Sequence, residues 1–148
     1  MLAYRLPREP SAPRVTVWRK LRRLGAVQVV DGLVALPADA RTREQLEWLA
    51  DEVVEAGGEA TVWLGRLGSA AQERAVARRM SDVVAADYRA VMADAAAADG
   101  ESDVVRRRTV ARLRRELQRI GRRDFFLPTE RERAHAAVER LADTVAVR

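Results

Sequence analysis

The sequence predicts an α+β protein: a four-stranded antiparallel sheet with two helices, followed by three further helices. Three observations predict it. Short apolar runs alternate with amphipathic helical stretches through the first 66 residues. An Asp31-Gly32 pair joins two of those runs as a hairpin turn. Beyond that region the apolar residues recur only at the helical period.

Leu2 to Leu6 is a short apolar run closed by Pro7 and Pro10, which reads as a first strand. Ser11 is placed to cap the helix that follows, and Pro13 suits its first turn, where no backbone donor is needed. Val17, Leu21 and Leu24 recur at i, i+4 and i+7 with Trp18 beside them, marking a buried stripe. Gly25 stands where a left-handed C-cap is expected. Val27, Val29 and Val30 form a second strand, Asp31 and Gly32 tolerate the positive φ of a tight turn, and Leu33 to Leu36 return until Pro37. Thr42 with Gln45 reads as a capping box. Leu46, Leu49, Val53 and Val54 supply that helix's apolar face, Gly57-Gly58 stop it, and Ala60 to Leu64 is the fourth strand. The resulting order is that of a split βαβ unit, a ferredoxin-like βαββαβ arrangement whose right-handed crossovers put both helices on one face.

The rest reads as helix. Ser69 with Gln72 opens a helix whose stripe is Val76, Met80, Val83, Val84, Tyr88 and Val91, thinning out at Ala95 to Gly100. A second runs from about Asp103 to Ile120 with Val110, Leu113, Leu117 and Ile120 on one side. RRDFFLP turns the chain, Phe125 and Phe126 filling a gap between helices and sheet. Thr129 with Glu132 opens the last helix, with its stripe at Ala134, Ala137, Val138, Leu141 and Val145. We expect residues 1–66 to form the ferredoxin-like core and residues 67–148 a helical extension packed on it as one compact unit.

Composition bounds the function. With 48% hydrophobic and 33% charged residues this is the balance of a folded domain, and no apolar run approaches a membrane-spanning length. No secretory leader is expected at MLAYRLPREP, so a cytoplasmic setting is expected. There is no cysteine, hence no disulfide and no thiolate metal site. The net charge of +5 favours anionic partners, but every basic side chain except Lys20 is arginine, in an alanine-rich chain. That skew follows from GC-rich coding as readily as from use. His135 is the only histidine, with Arg131, Glu132 and Glu139 as its helical neighbours, and no nucleophile or orienting partner is near it. No phosphate loop, metal-ligand spacing or isolated carboxylate pair is found, so no catalytic residue, metal or cofactor is expected and the chain reads as a non-enzyme.

The densest charge is RRRTVARLRRELQRIGRR, residues 106–123, with nine arginines. At 100° per residue Arg108, Arg112, Arg115, Arg119 and Arg122 fall on one stripe opposite the apolar positions. Two readings stand. Such a row can follow a phosphate backbone, or it can simply keep a helix solvated in an arginine-biased chain. Within the segment only Glu116 and Asp124 relieve the repulsion. Arg19, Lys20, Arg22 and Arg23 form a second candidate cluster for DNA or an anion with the same two readings, of which the wet exterior of the first helix is the better, while Trp18 and Trp48 are read as packing residues.

Tyr4-Arg5-Leu6-Pro7-Arg8-Glu9-Pro10, Trp18-Arg19-Lys20-Leu21, Leu24-Gly25-Ala26, Asp31-Gly32, Gln45 through Leu49 and Gly57-Gly58-Glu59-Ala60 resemble the N-terminal domain of ChrB, the chromate-resistance regulatory protein. The resemblance extends to the later RRDFF-LP segment. The stretch from Arg19 to Pro37 is also similar to the central domain of PaaX-type repressors and to small CRISPR-associated ferredoxin-fold nucleases. The nuclease likeness would want an acidic ligand at the end of the first strand, where Tyr4-Arg5 stands instead. Membership of the ChrB family implies chromate-responsive gene control, with DNA or partner contacts made by this domain. Full-length family regulators carry a further C-terminal sensing domain, so a separately encoded partner of that type is one expectation. A homodimer binding DNA is the first reading. An assembly domain meeting an acidic protein surface is the second, and direct chromate binding by arginines near Pro7-Arg8 is the third.

Overall fold

The computed structural model describes residues 1–146, so Val147 and Arg148 at the end of the expected extension lie outside the described residues. Its elements are β1 (Leu2–Arg5), α1 (Ala12–Leu24), β2 (Val27–Val30), β3 (Leu33–Ala35), α2 (Ala40–Glu55), β4 (Glu59–Val62), α3 (Ala70–Ala98), α4 (Asp103–Gly121) and α5 (Glu130–Ala146). Two compact units divide the chain, Met1–Met80 and Ser81–Arg148, with the boundary inside α3.

In the first unit the strands lie in the order β2-β3-β1-β4, and every neighbouring pair is antiparallel. α1 joins β1 to β2 with β3 between them, and α2 joins β3 to β4 with β1 between them. That is the connectivity of a split βαβ unit, as the sequence predicts. Leu2 sits opposite Val34 on one side and Val62 on the other, and it is fully buried. It shares the core with Val17 and Leu21 of α1 and with Leu46, Leu49 and Val53 of α2. α2 lies against β1, β4 and α1.

Local chemistry sets the ends. Gly25 takes φ 80°, the left-handed cap expected of it, and Pro13 occupies the first turn of α1, although Ser11 makes no side-chain cap bond. The α2 capping box belongs to Asp39 and Thr42, not to Thr42 and Gln45. The Asp39 carboxylate accepts from Thr42 N at 2.7 Å, while the Asp39 N–H donates to Thr42 Oγ1 at 3.2 Å. The aspartate starts the helix three residues earlier because an ionised acceptor also suits the positive end of the helix dipole. Those bonds hold the Asp39 carboxyl below its usual range, the Thr42 N–H being the largest cause. At the hairpin only Gly32 takes positive φ (75°), and a register shift between Gln28 and Val30 absorbs what Asp31 does not. Asp31 instead accepts from Gln28 Nε2 at 2.8 Å. Gly58 has no room for a side chain, because an added Cβ would lie 2.3 Å from the Arg5 carbonyl oxygen.

β4 is shorter than expected, ending at Val62 with Trp63 and Leu64 exposed, although Trp63 N still donates to Met1 O at 2.7 Å. The expectation that Trp18 and Trp48 pack inside is overturned: they are 51% and 61% exposed. Each lies a residue off its helix's buried stripe, and Leu21 and Leu49 take the inward places.

The second unit is a three-helix core. Val84, Tyr88, Val91, Ala95 and Ala98 of α3 meet Val110, Leu113, Leu117 and Ile120 of α4 and Ala134, Val138 and Leu141 of α5. α4 and α5 follow the predicted stripes closely. α3 runs on through the alanines to Ala98, since alanine is the best helix former and stops nothing. Val83, placed on the apolar stripe by periodicity, is exposed. Phe126 is exposed too, so the expected plug is not made by it. The turn after α4 is organised by Asp124, which accepts from Tyr88 OH at 3.0 Å and from Leu127 N at 2.9 Å.

A candidate arginine interface on the fourth helix

α4 buries Val110, Leu113, Leu117 and Ile120, so the 3.6-residue period must turn Arg108, Arg112, Arg115, Arg119 and Arg122 outward. All five are exposed, as the wheel requires. Their neighbours differ. Arg112 pairs with Asp94 of α3 at 2.9 Å, and Arg119 pairs with Glu116 at 2.5 Å. Arg122 is also engaged. Arg108 and Arg115 meet no acid among the described residues. They stand two turns apart, roughly 10 Å along the axis at 1.5 Å per residue.

The remaining arginines of the segment act inside the unit. Arg114 donates to both carboxylate oxygens of Glu139 on α5, at 3.1 and 2.8 Å. That fork holds the Glu139 carboxyl below its ordinary range and raises the Arg114 guanidinium. Arg123 reaches Asp87 of α3 at 2.8 Å. Arg106 is only 8% exposed, donating to the Asp99 carbonyl at 3.2 Å and to Asp103, with its Nε left without a partner. Arg106, Arg112, Arg114, Arg119 and Arg123 are therefore ion-paired. Acids from other helices enter as well: Asp94 meets Arg112 of the outward row, while Glu139 and Asp87 meet Arg114 and Arg123 outside it. Asp87 and Asp94, seven residues apart on α3, were the one signal of this in the sequence.

The bridges on the outward row are weak restraints. Arg112 and Asp94 have side chains 52% and 49% exposed, and an exposed pair of this kind contributes about 0–1 kcal/mol. A phosphate can displace such an acid at little cost. The row thus presents two open guanidinium groups and two exchangeable ones.

The first-helix cluster is divided differently. Lys20 donates to both oxygens of Glu52 on α2 at 2.6 Å, so it fastens α1 to α2. Arg22 stacks its guanidinium 4.8 Å from the Trp18 ring centroid. Arg19 and Arg23 are exposed and meet no partner among the described residues. The Pro7-Arg8 turn borders a shallow depression of about 180 Å³ lined by Arg5, Leu6, Pro7, Gly57, Gly58 and Glu59. Arg5 there pairs with Glu59 at 2.8 Å. Among the described residues no three histidine, aspartate or glutamate side chains are grouped to hold a metal, and no helix is long and apolar enough to cross a membrane.

A family model described as "Protein ChrB, N-terminal" matches residues 14–108. Neither a curated protein nor a solved structure matches the chain.

Proposed function

The chain belongs to the ChrB N-terminal family, and from that premise we propose that it is a non-enzymatic regulatory module of chromate resistance that binds DNA through the outward row of α4. The observation that carries the reading is the pair Arg108 and Arg115, exposed and without an acid partner among the described residues, flanked by the exchangeable Arg112 and Arg119. Guanidinium groups spaced along one helix face neutralise successive phosphates and release their counterions. The row holds no aromatic side chain on which a base could stack, and its spacing along one face suits contacts to the backbone, with register on a site set elsewhere in the assembly. Chromate enters as the effector of the assembly.

Binding of the chain to its own upstream DNA should be titrated by fluorescence anisotropy between 50 and 200 mM NaCl. Each lost phosphate contact flattens the slope of log K against log salt by about 0.9. Arg108→Ala with Arg115→Ala should therefore flatten it by roughly 1.8. Arg112→Ala with Arg119→Ala should flatten it by less, because those side chains begin neutralised. No binding at low salt, or equal slopes in all three proteins, would overturn the reading in favour of an assembly domain.

A further inference from the structure

We propose that the outer face of α1 and α2 is a self-complementary surface on which a second copy of this chain docks. The two helices carry opposite charge. α1 holds Arg14, Arg19, Lys20, Arg22 and Arg23 and no acid. α2 holds Glu44, Glu47, Asp51, Glu52 and Glu55 against only Arg41 and Arg43. One bridge, Lys20 to Glu52, links them along the seam. The outward rows, Val15, Arg19 and Arg22 on α1 and Glu44, Trp48, Asp51 and Glu55 on α2, are exposed. Among the described residues Arg19, Glu44, Asp51 and Glu55 meet no partner. Trp48, 61% exposed, stands in the middle of the acidic row, and an amphipathic indole is the residue that interface centres favour.

Charge also selects the symmetry. A two-fold axis across the helices would set α1 on α1 and α2 on α2, like on like. An axis parallel to the helices sets α1 of each copy on α2 of the other, basic on acidic twice, with both Trp48 rings in the covered area. A nucleic acid fits this face poorly, because the acids of α2 lie directly beside the arginines and repel phosphate. Trp18 lies under Arg22, whose guanidinium stacks on its ring.

The test uses the full chain and two charge-reversed variants, one with Arg19→Glu and Arg22→Glu, the other with Asp51→Arg and Glu55→Arg. Light scattering after size exclusion at 50 mM NaCl should give a dimer for the unaltered chain and monomers for each variant alone. Mixed one to one, the variants should form a dimer, since each then offers the charge that the other lacks. Restoration on mixing also shows that both variants are folded. A monomeric unaltered chain at tens of micromolar overturns the proposal. So does a dimer that survives either reversal, which would locate the contact elsewhere. DNA binding that is lost in the arginine variant while mixing restores no dimer would mark the face as a nucleic-acid surface instead.

Discussion

Tyr88 offers a prediction whose size follows from the structure. Its ring is fully buried in the three-helix core, and its hydroxyl donates to Asp124 Oδ2 at 3.0 Å. Burial first, and then the bond to Asp124, push the phenol up to about 12 from an ordinary 10.0. A group whose pKa is raised in the folded state stabilises that state fully below its unfolded pKa and loses the contribution as pH rises toward the folded value. The window is thus from pH 10 to about 12. One pKa unit is worth about 1.4 kcal/mol, so stability should fall by roughly that amount between pH 9 and 11 from this residue alone. Tyr88→Phe removes the titrating group along with the hydrogen bond, whose loss costs about 1–3 kcal/mol at neutral pH with an ionised acceptor. Urea unfolding followed by far-ultraviolet circular dichroism at pH 8, 9, 10 and 11 measures both proteins. Titrations common to the two cancel in the difference. The gap between wild type and Tyr88→Phe should be widest at pH 8 and 9 and should narrow by about 1.4 kcal/mol at pH 11. Parallel stability curves across the whole range would refute the reasoning, as would ultraviolet titration showing Tyr88 ionising at the ordinary value.

Three other outcomes are expected. Leu113→Ala opens a cavity in a fully buried place among α3, α4 and α5 and should destabilise the second unit by about 2–5 kcal/mol, read by circular dichroism. Gly58→Ala forces a methyl to within 2.3 Å of the Arg5 carbonyl and should cost at least about 1–3 kcal/mol. It should be visible in tryptophan fluorescence, because Trp18, Trp48 and Trp63 all lie in the first unit. Asp39 has its carboxyl pKa lowered by the Thr42 N–H, so its contribution is present above the ordinary carboxylate range and is lost as pH falls through the folded value. Asp39→Ala should lower the melting temperature at pH 7 and converge on wild type in acid, as scanning calorimetry would show.

Much of the fold was legible because its signals are local. The spacing of Val110, Leu113, Leu117 and Ile120 sufficed to place α4 and to turn Arg108 and Arg115 outward, since helix geometry alone maps position to face. Gly25 and Pro13 marked their helix ends through backbone chemistry that needs no partner. The misreadings share a cause in competition between neighbours. Thr42 could cap with Gln45 or answer Asp39, and the charged acceptor prevailed. Trp18 and Trp48 sit beside a stripe, and only the packing of α1 and α2 on the sheet decides which side of the stripe is covered.

The sequence by itself determined which elements form, the order that makes a split βαβ unit, and which arginines face solvent, because each follows from periodicity and backbone preference over a few residues. Tertiary structure alone decided which of those arginines still carry a free charge. Asp94, Asp87 and Glu139 are 18, 36 and 25 residues from Arg112, Arg123 and Arg114 along the chain and meet them only when the three helices close on one core. A Coulomb interaction depends on distance in space, and chain separation does not encode it.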